Sequence, residues 1–131
     1  MMLGIHDFIG IPFKNKGRDY SGVDCYGLVY LVYRDYKKIS IPKYQDYKNA
    51  LDKKEADKKF RDHKKEWFEV SEPHFLDVVL FGEDNGLETH VGLYIDMKHF
   101  MHIRRNGNVC IERYKDFQKK RIGVYRYADD V

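Results

Sequence analysis

Gly22-Val23-Asp24-Cys25-Tyr26-Gly27-Leu28-Val29 is the stretch on which the reading of this chain turns. From Cys25 onward, Leu28, Val29, Val32 and Tyr36 recur at helical spacing. This predicts a helix to about Lys38, stopped by Ile39-Ser40-Ile41-Pro42. A cysteine at a helix start faces free backbone N–H groups and the positive end of the helix dipole. Both favour thiolate over thiol, so a lowered pKa and a nucleophilic role are expected for Cys25. The plainer role for such a residue is that of a small buried hydrophobe. A nucleophile needs a base, and the flanking sequence has to supply one.

Upstream, residues 1–13 read as a short amphipathic opening segment. Residues 14–24 read as a loop punctuated by Gly17 and Gly22. Downstream, residues 43–69 carry nine Lys or Arg and seven Asp or Glu of mixed order. Tyr47 and Leu51, then Ala56 and Phe60, sit four apart, so this segment is expected to be a solvated helical insertion with a narrow buried stripe. After Pro73 the period changes. Asp77 to Phe81, His90 to Ile95, His99 to Ile103, Val109 to Glu112 and Ile122 to Tyr127 read as strands, with Asn106-Gly107 as a tight turn. A helical half followed by a string of antiparallel strands is an α+β layout with a sheet of about five strands.

The length of 131 residues fits one domain, 1–131. A net charge of +3 spread along the chain argues against a nucleic-acid partner. Two cysteines make no disulfide framework. No stretch approaches the roughly 20 apolar residues of a membrane span. Residues 1–11 include His6 and Asp7 and lack a basic start, so no signal peptide is expected, and the chain is expected to be made in the cytoplasm.

A cysteine nucleophile works with a histidine that takes its proton, and that histidine is in turn oriented by a third polar group. Of the six histidines, His63 falls in the charged insertion, His6 and His74 lack a patterned context, and His99 lies nearest a turn; all four are expected to be solvated or structural. His90 opens an alternating strand on the face opposite Val91, Leu93 and Ile95, and Gly92 on its own face leaves room for the imidazole. A hairpin with a three-residue loop at Ile95-Asp96-Met97 would set His90 directly opposite His102. Cys25, His90 and His102 are thus the candidate catalytic set. The same three side chains are zinc-ligand types, so a zinc-binding module is an alternative, although close ligand pairs are lacking. Cys110 reads as a strand residue.

Asp24-Cys25-x-Gly27-Leu28-Val29, Asp77-Val78-Val79-Leu80-Phe81, His90-Val91-Gly92-Leu93-Tyr94 and Met101-His102 together resemble the NlpC family of papain-like cysteine peptidases, in that family's order and spacing. Gly17-Arg18-Asp19, Tyr33-Arg34 and Arg121 to Arg126 are similar to its phage tail branch. The resemblance implies a papain-like core with the nucleophile helix on an antiparallel sheet, and no cofactor. It implies hydrolysis of an amide in peptidoglycan stem peptides, between D-glutamate and the next diamino acid, in a phage tail or tail-like particle. It gives Cys25 as nucleophile, His90 as base and acid, and His102 as orienting residue. A structural tail-assembly protein of the same fold is the alternative. One position departs: Phe13 stands where members often have tyrosine. Phe13, Tyr20, Asp24 and Tyr26 are the expected cleft residues, with Tyr20 or Tyr26 as candidates to supply the missing hydroxyl.

Overall fold

A computed structural model describes residues 3–127. A short ribbon, β1 (Arg18–Asp19) paired with β2 (Gly22–Val23), leads into α1 (Cys25–Val32). Asp24 caps α1 by accepting the Gly27 N–H at 2.8 Å, which satisfies a donor that the helix itself leaves free. Gly27 is fixed by contact: a Cβ there would lie 2.0 Å from the Gly17 carbonyl oxygen. The helix continues through a π turn, Tyr33–Lys37, and ends at Lys38 in the left-handed region, close to the expected stop. Residues Tyr26 to Val32 are all buried, so α1 is apolar on every side.

The sheet has six antiparallel strands among the described residues: β3 (Trp67–Glu69), β4 (Val78–Gly82), β5 (Glu88–Tyr94), β6 (His99–Ile103), β7 (Val109–Arg113) and β8 (Lys120–Tyr127). Their order is β3-β8-β4-β5-β6-β7. All five expected strands are present. The sixth, β3, lies in the segment read as helical and pairs Trp67 with Tyr127. Its three residues are too few for a period to show within a charged run, and Trp67 is held by packing on Tyr33 and Tyr127. Within 43–69 the α-helix is α2 (Lys53–His63), capped by Asp52, with a further 3-10 turn at Lys64–Glu66. No helix among the described residues is long and apolar enough to cross a membrane.

Strand alternation splits the core. Val78, Leu80, Val91, Leu93, Met101 and Ile103 pack with α1 in the main core. Val79, Phe81, Tyr94, Phe100 and Val124 form a second, smaller core on the other side, flanked by Tyr114 and Phe117. His90 and His102 share this second side with Phe81, Phe100 and Phe117.

Candidate active site

The nucleophile helix starts on a buried polar knot. Asp24, 1% exposed, accepts from the Gly27 and Lys16 N–H groups at 2.8 and 2.9 Å, from the Arg18 guanidinium at 2.8 Å, and from the Tyr47 hydroxyl. Arg18 also donates to the carbonyls of Gly17, Lys43 and Tyr44 and to Tyr47. One ion pair therefore clamps the start of the 43–69 insertion to the residue that precedes Cys25.

Cys25 is partly buried, and its thiol accepts from the backbone N–H of Val91, one residue from His90. His90 and His102 are bonded Nε2 to Nδ1 at 2.7 Å. Their expected direct pairing is off by two residues. The observed register, Leu93 with Met101 and Tyr94 with Phe100, sets His102 opposite Gly92, because five residues, Ile95 to His99, lie between the paired Tyr94 and Phe100. A shift of two keeps both imidazoles on one face, since strand side chains alternate with a period of two. Gly92 makes the approach possible: a Cβ there would lie 3.2 Å from the His102 Cβ.

Burial sets the protonation of this pair and reverses the expectation for the thiol. Burial, then the Asp24 carboxylate, pushes Cys25 up to about 11, outweighing the Val91 N–H, Lys119 and Arg18. Burial, then His102, holds His90 well below the ordinary imidazole value. Both shifts favour neutral thiol and neutral imidazole at rest. Iodoacetamide should therefore modify Cys25 slowly at pH 6, no faster than Cys110, whose thiol is also raised by burial. A Cys25 rate many-fold above that of Cys110, read by peptide mass spectrometry, would contradict the neutral resting pair.

The relay does not end at His102. Its Nε2 meets Glu112 Oε2, and the other Glu112 oxygen is bonded to Arg104. The sequence reading missed Glu112. The observed register pairs His102 with Cys110, two residues before Glu112 on the same face. Among the described residues, the ligand atoms of His102, Cys110 and Glu112 lie close enough to hold a metal, and those of Cys25, His90 and His102 do not form such a group. The Arg104 guanidinium already lies against both Glu112 and Cys110, so the cation at this cluster is supplied by the chain.

A cavity of about 80 Å³ opens beside Cys25. Asp24 and Tyr26 line it together with Tyr47, Phe60, His63 and Trp67 from the insertion. That volume suits a few waters or one small apolar group. The insertion has no buried residue in α2, and its inner stripe, Ala56 and Phe60, forms one wall of the cavity, while His63 is stacked on Tyr44 at 3.9 Å and bonded to Asp46. The strap is further tied down by Arg105 to the Leu51 carbonyl and by Arg61 and Lys64 to Glu88. Tyr20 and Phe13 do not line this cavity, although Phe13 is bridged to Val23, two residues before Cys25. Tyr20 bonds Asp35, ten residues along the helical segment from Cys25. Phe13 packs against the main core, its N–H donating to the Gly107 carbonyl. The Tyr26 hydroxyl donates to the Pro42 carbonyl at 2.7 Å.

A family model described as the NlpC/P60 family matches residues 10–126. The chain belongs to the NlpC/P60 family. Its fold is that of the NlpC/p60 domain of the peptidoglycan hydrolase SagA: 20% identity, TM-score 0.61, covering 91% of this chain and 90% of that one. NlpC1 from Trichomonas vaginalis matches with 20% identity and TM-score 0.67, covering 92% of this chain and 40% of that one. An NlpC/P60 family protein from Bacillus cereus ATCC 10987 matches with 24% identity and TM-score 0.65, covering 92% and 36%. The chain thus spans nearly all of the first and well under half of the other two.

Proposed function

We propose that this NlpC/P60 chain is a cysteine peptidase that hydrolyses an amide bond in peptidoglycan stem peptides, with Cys25, His90 and His102 as its triad. The observation that carries this reading is a thiol at a helix start, against the Val91 N–H, beside a bonded pair of buried histidines. The SagA domain, described as part of a peptidoglycan hydrolase, is a fold neighbour that supports the substrate class.

His90 Nε2 is engaged by His102, which leaves Nδ1 for the thiol. In the first step Nδ1 takes the thiol proton as Sγ attacks the carbonyl carbon. The Cys25 N–H, at the first turn of α1 and so without a partner inside the helix, donates to the developing oxyanion. The imidazolium then protonates the leaving amine and the C–N bond breaks. Water, deprotonated by the same Nδ1, cleaves the resulting thioester and returns the thiol. Because both groups rest neutral, the proton moves during attack rather than before it.

The bond proposed is that between D-glutamate and the following diamino acid, and the setting a phage tail or tail-like particle. The resemblance of Gly17 to Asp19, Tyr33-Arg34 and Arg121 to Arg126 to that branch supports the setting. Digestion of purified peptidoglycan of several diamino-acid types, with mass spectrometry of the released peptides, tests the activity and the bond. New amine ends that are absent with Cys25→Ala are expected. No release from any wall type would overturn the peptidase reading in favour of a structural tail protein. Absence of the chain from purified particles would overturn the tail setting.

A further inference from the structure

We propose that Glu112 is the positioning residue that sets the tautomer of both histidines, and that Arg104 fixes the way Glu112 does so. The inference rests on the triad reading above and extends it outward by two residues. Glu112 is a carboxylate with 14% of its side chain exposed, and His102 is almost wholly buried at 1%. Burial would raise Glu112, but the hydrogen bonds from Arg104 and His102 outweigh it and keep the group ionised.

An ionised carboxylate only accepts, so the hydrogen between it and His102 belongs to Nε2. A neutral imidazole carries one N–H, which leaves His102 Nδ1 as a lone pair. The 2.7 Å contact to His90 then requires a hydrogen on His90 Nε2. His90 Nδ1 is thereby left as a lone pair, the form that can accept the thiol proton. One charged group at the far end of the chain, held by the sheet register that puts His102 opposite Cys110 and Phe100 opposite Glu112, dictates which nitrogen of His90 is basic. Glu112 touches neither substrate nor thiol in this scheme and acts only through His102.

Arg104 makes the isosteric substitution informative. In Glu112→Gln the side chain keeps its volume but presents one oxygen and one NH2. Arg104 has only donors and claims the oxygen. The NH2 then faces His102 Nε2, which must become an acceptor. The hydrogen moves to His102 Nδ1 and then to His90 Nδ1, and the base is blocked.

Two-bond 1H–15N correlation spectra of the imidazoles, alongside kcat and KM on peptidoglycan fragments, test this. The wild type should show both His90 and His102 protonated on Nε2. Glu112→Gln should move both to Nδ1–H and lower kcat about 100-fold with KM little changed. Adding Arg104→Met to Glu112→Gln frees the amide to turn its oxygen to His102, and should restore the Nε2–H tautomers and most of kcat. A wild-type His90 protonated on Nδ1 would overturn the proposal, even if the variants fail to fold. So would unchanged tautomers in Glu112→Gln. The spectra need no substrate, so an inactive wild type with both rings Nε2–H would sink the peptidase reading and leave the tautomer assignment standing.

Discussion

Asp24→Ala is expected to destabilise the domain by about 3–5 kcal/mol, the cost of removing one partner of a buried ion pair and leaving the other charge uncompensated. Arg18 is 7% exposed and its guanidinium cannot turn to water. It would keep its carbonyl partners Gly17, Lys43 and Tyr44 but lose the only carboxylate in the knot. The Gly27 N–H would lose its helix cap, adding about 1 kcal/mol. Against a total stability of roughly 5–15 kcal/mol this is a large share. It corresponds to a fall in Tm of about 15–20 °C for a chain of this size. Asp24→Asn keeps the shape and one acceptor oxygen, so its loss should be smaller. Thermal and urea unfolding, followed by tryptophan fluorescence from Trp67, separate the cases. A Tm within about 2 °C of wild type for Asp24→Ala would show that the knot contributes little.

The same knot explains why the insertion is ordered against the cleft. Arg18 reaches 25 to 29 residues forward to Lys43, Tyr44 and Tyr47. Asn15 donates to the Lys48 carbonyl and accepts from the Ala50 N–H. Asp57 accepts the Glu88 N–H at the start of β5. The helix start and the strand carrying His90 are therefore bridged by one segment, and loosening its Arg18 end should open the wall of the cavity beside Cys25.

How much of this was legible depended on the range of the signal. The α1 start at Asp24-Cys25 and the five long strands follow local periods, and local periods survive in a single sequence. β3 did not show, because three residues within a run of charge carry no period and Trp67 is placed by Tyr127, sixty residues away. The insertion read as a solvated helix with a narrow inner stripe, and α2 has no buried residue; what a single sequence does not show is that this stripe faces the cavity beside Cys25. The His90–His102 contact was legible in face but not in register, since only the loop length fixes register. Glu112 was missed because a carboxylate on a half-exposed strand looks ordinary until its cross-strand partner is known. The thiol shift was misjudged for a related reason. A helix start is visible in sequence, whereas the burial that opposes it depends on the tertiary packing around Cys25, the insertion beside it included.

The remaining large effect concerns the reacting pair. Cys25→Ala and His90→Ala should each lower kcat on peptidoglycan fragments by at least about 10⁴-fold, since one removes the nucleophile and the other its base. The double variant should be no worse than the poorer single one, because both groups serve one step; losses that multiply would show that they act separately. The acid limb of kcat/KM reports the same pair. The reaction needs His90 neutral, and burial with His102 beside it places its pKa well below the ordinary value of about 6.5. The cations Lys119 and Arg105 on neighbouring segments act in the same direction. Activity should therefore hold as the pH falls through 6.5 and drop only below it. Stability has the same sign: the unfolded imidazole takes up its proton first, so its contribution is full above about 6.5 and is lost as the pH falls toward the folded value. A limb at or above 6.5 would mean that His90 is solvated or faces an anion in the working enzyme. An equal loss of kcat/KM for Cys110→Ala would point to the wrong thiol.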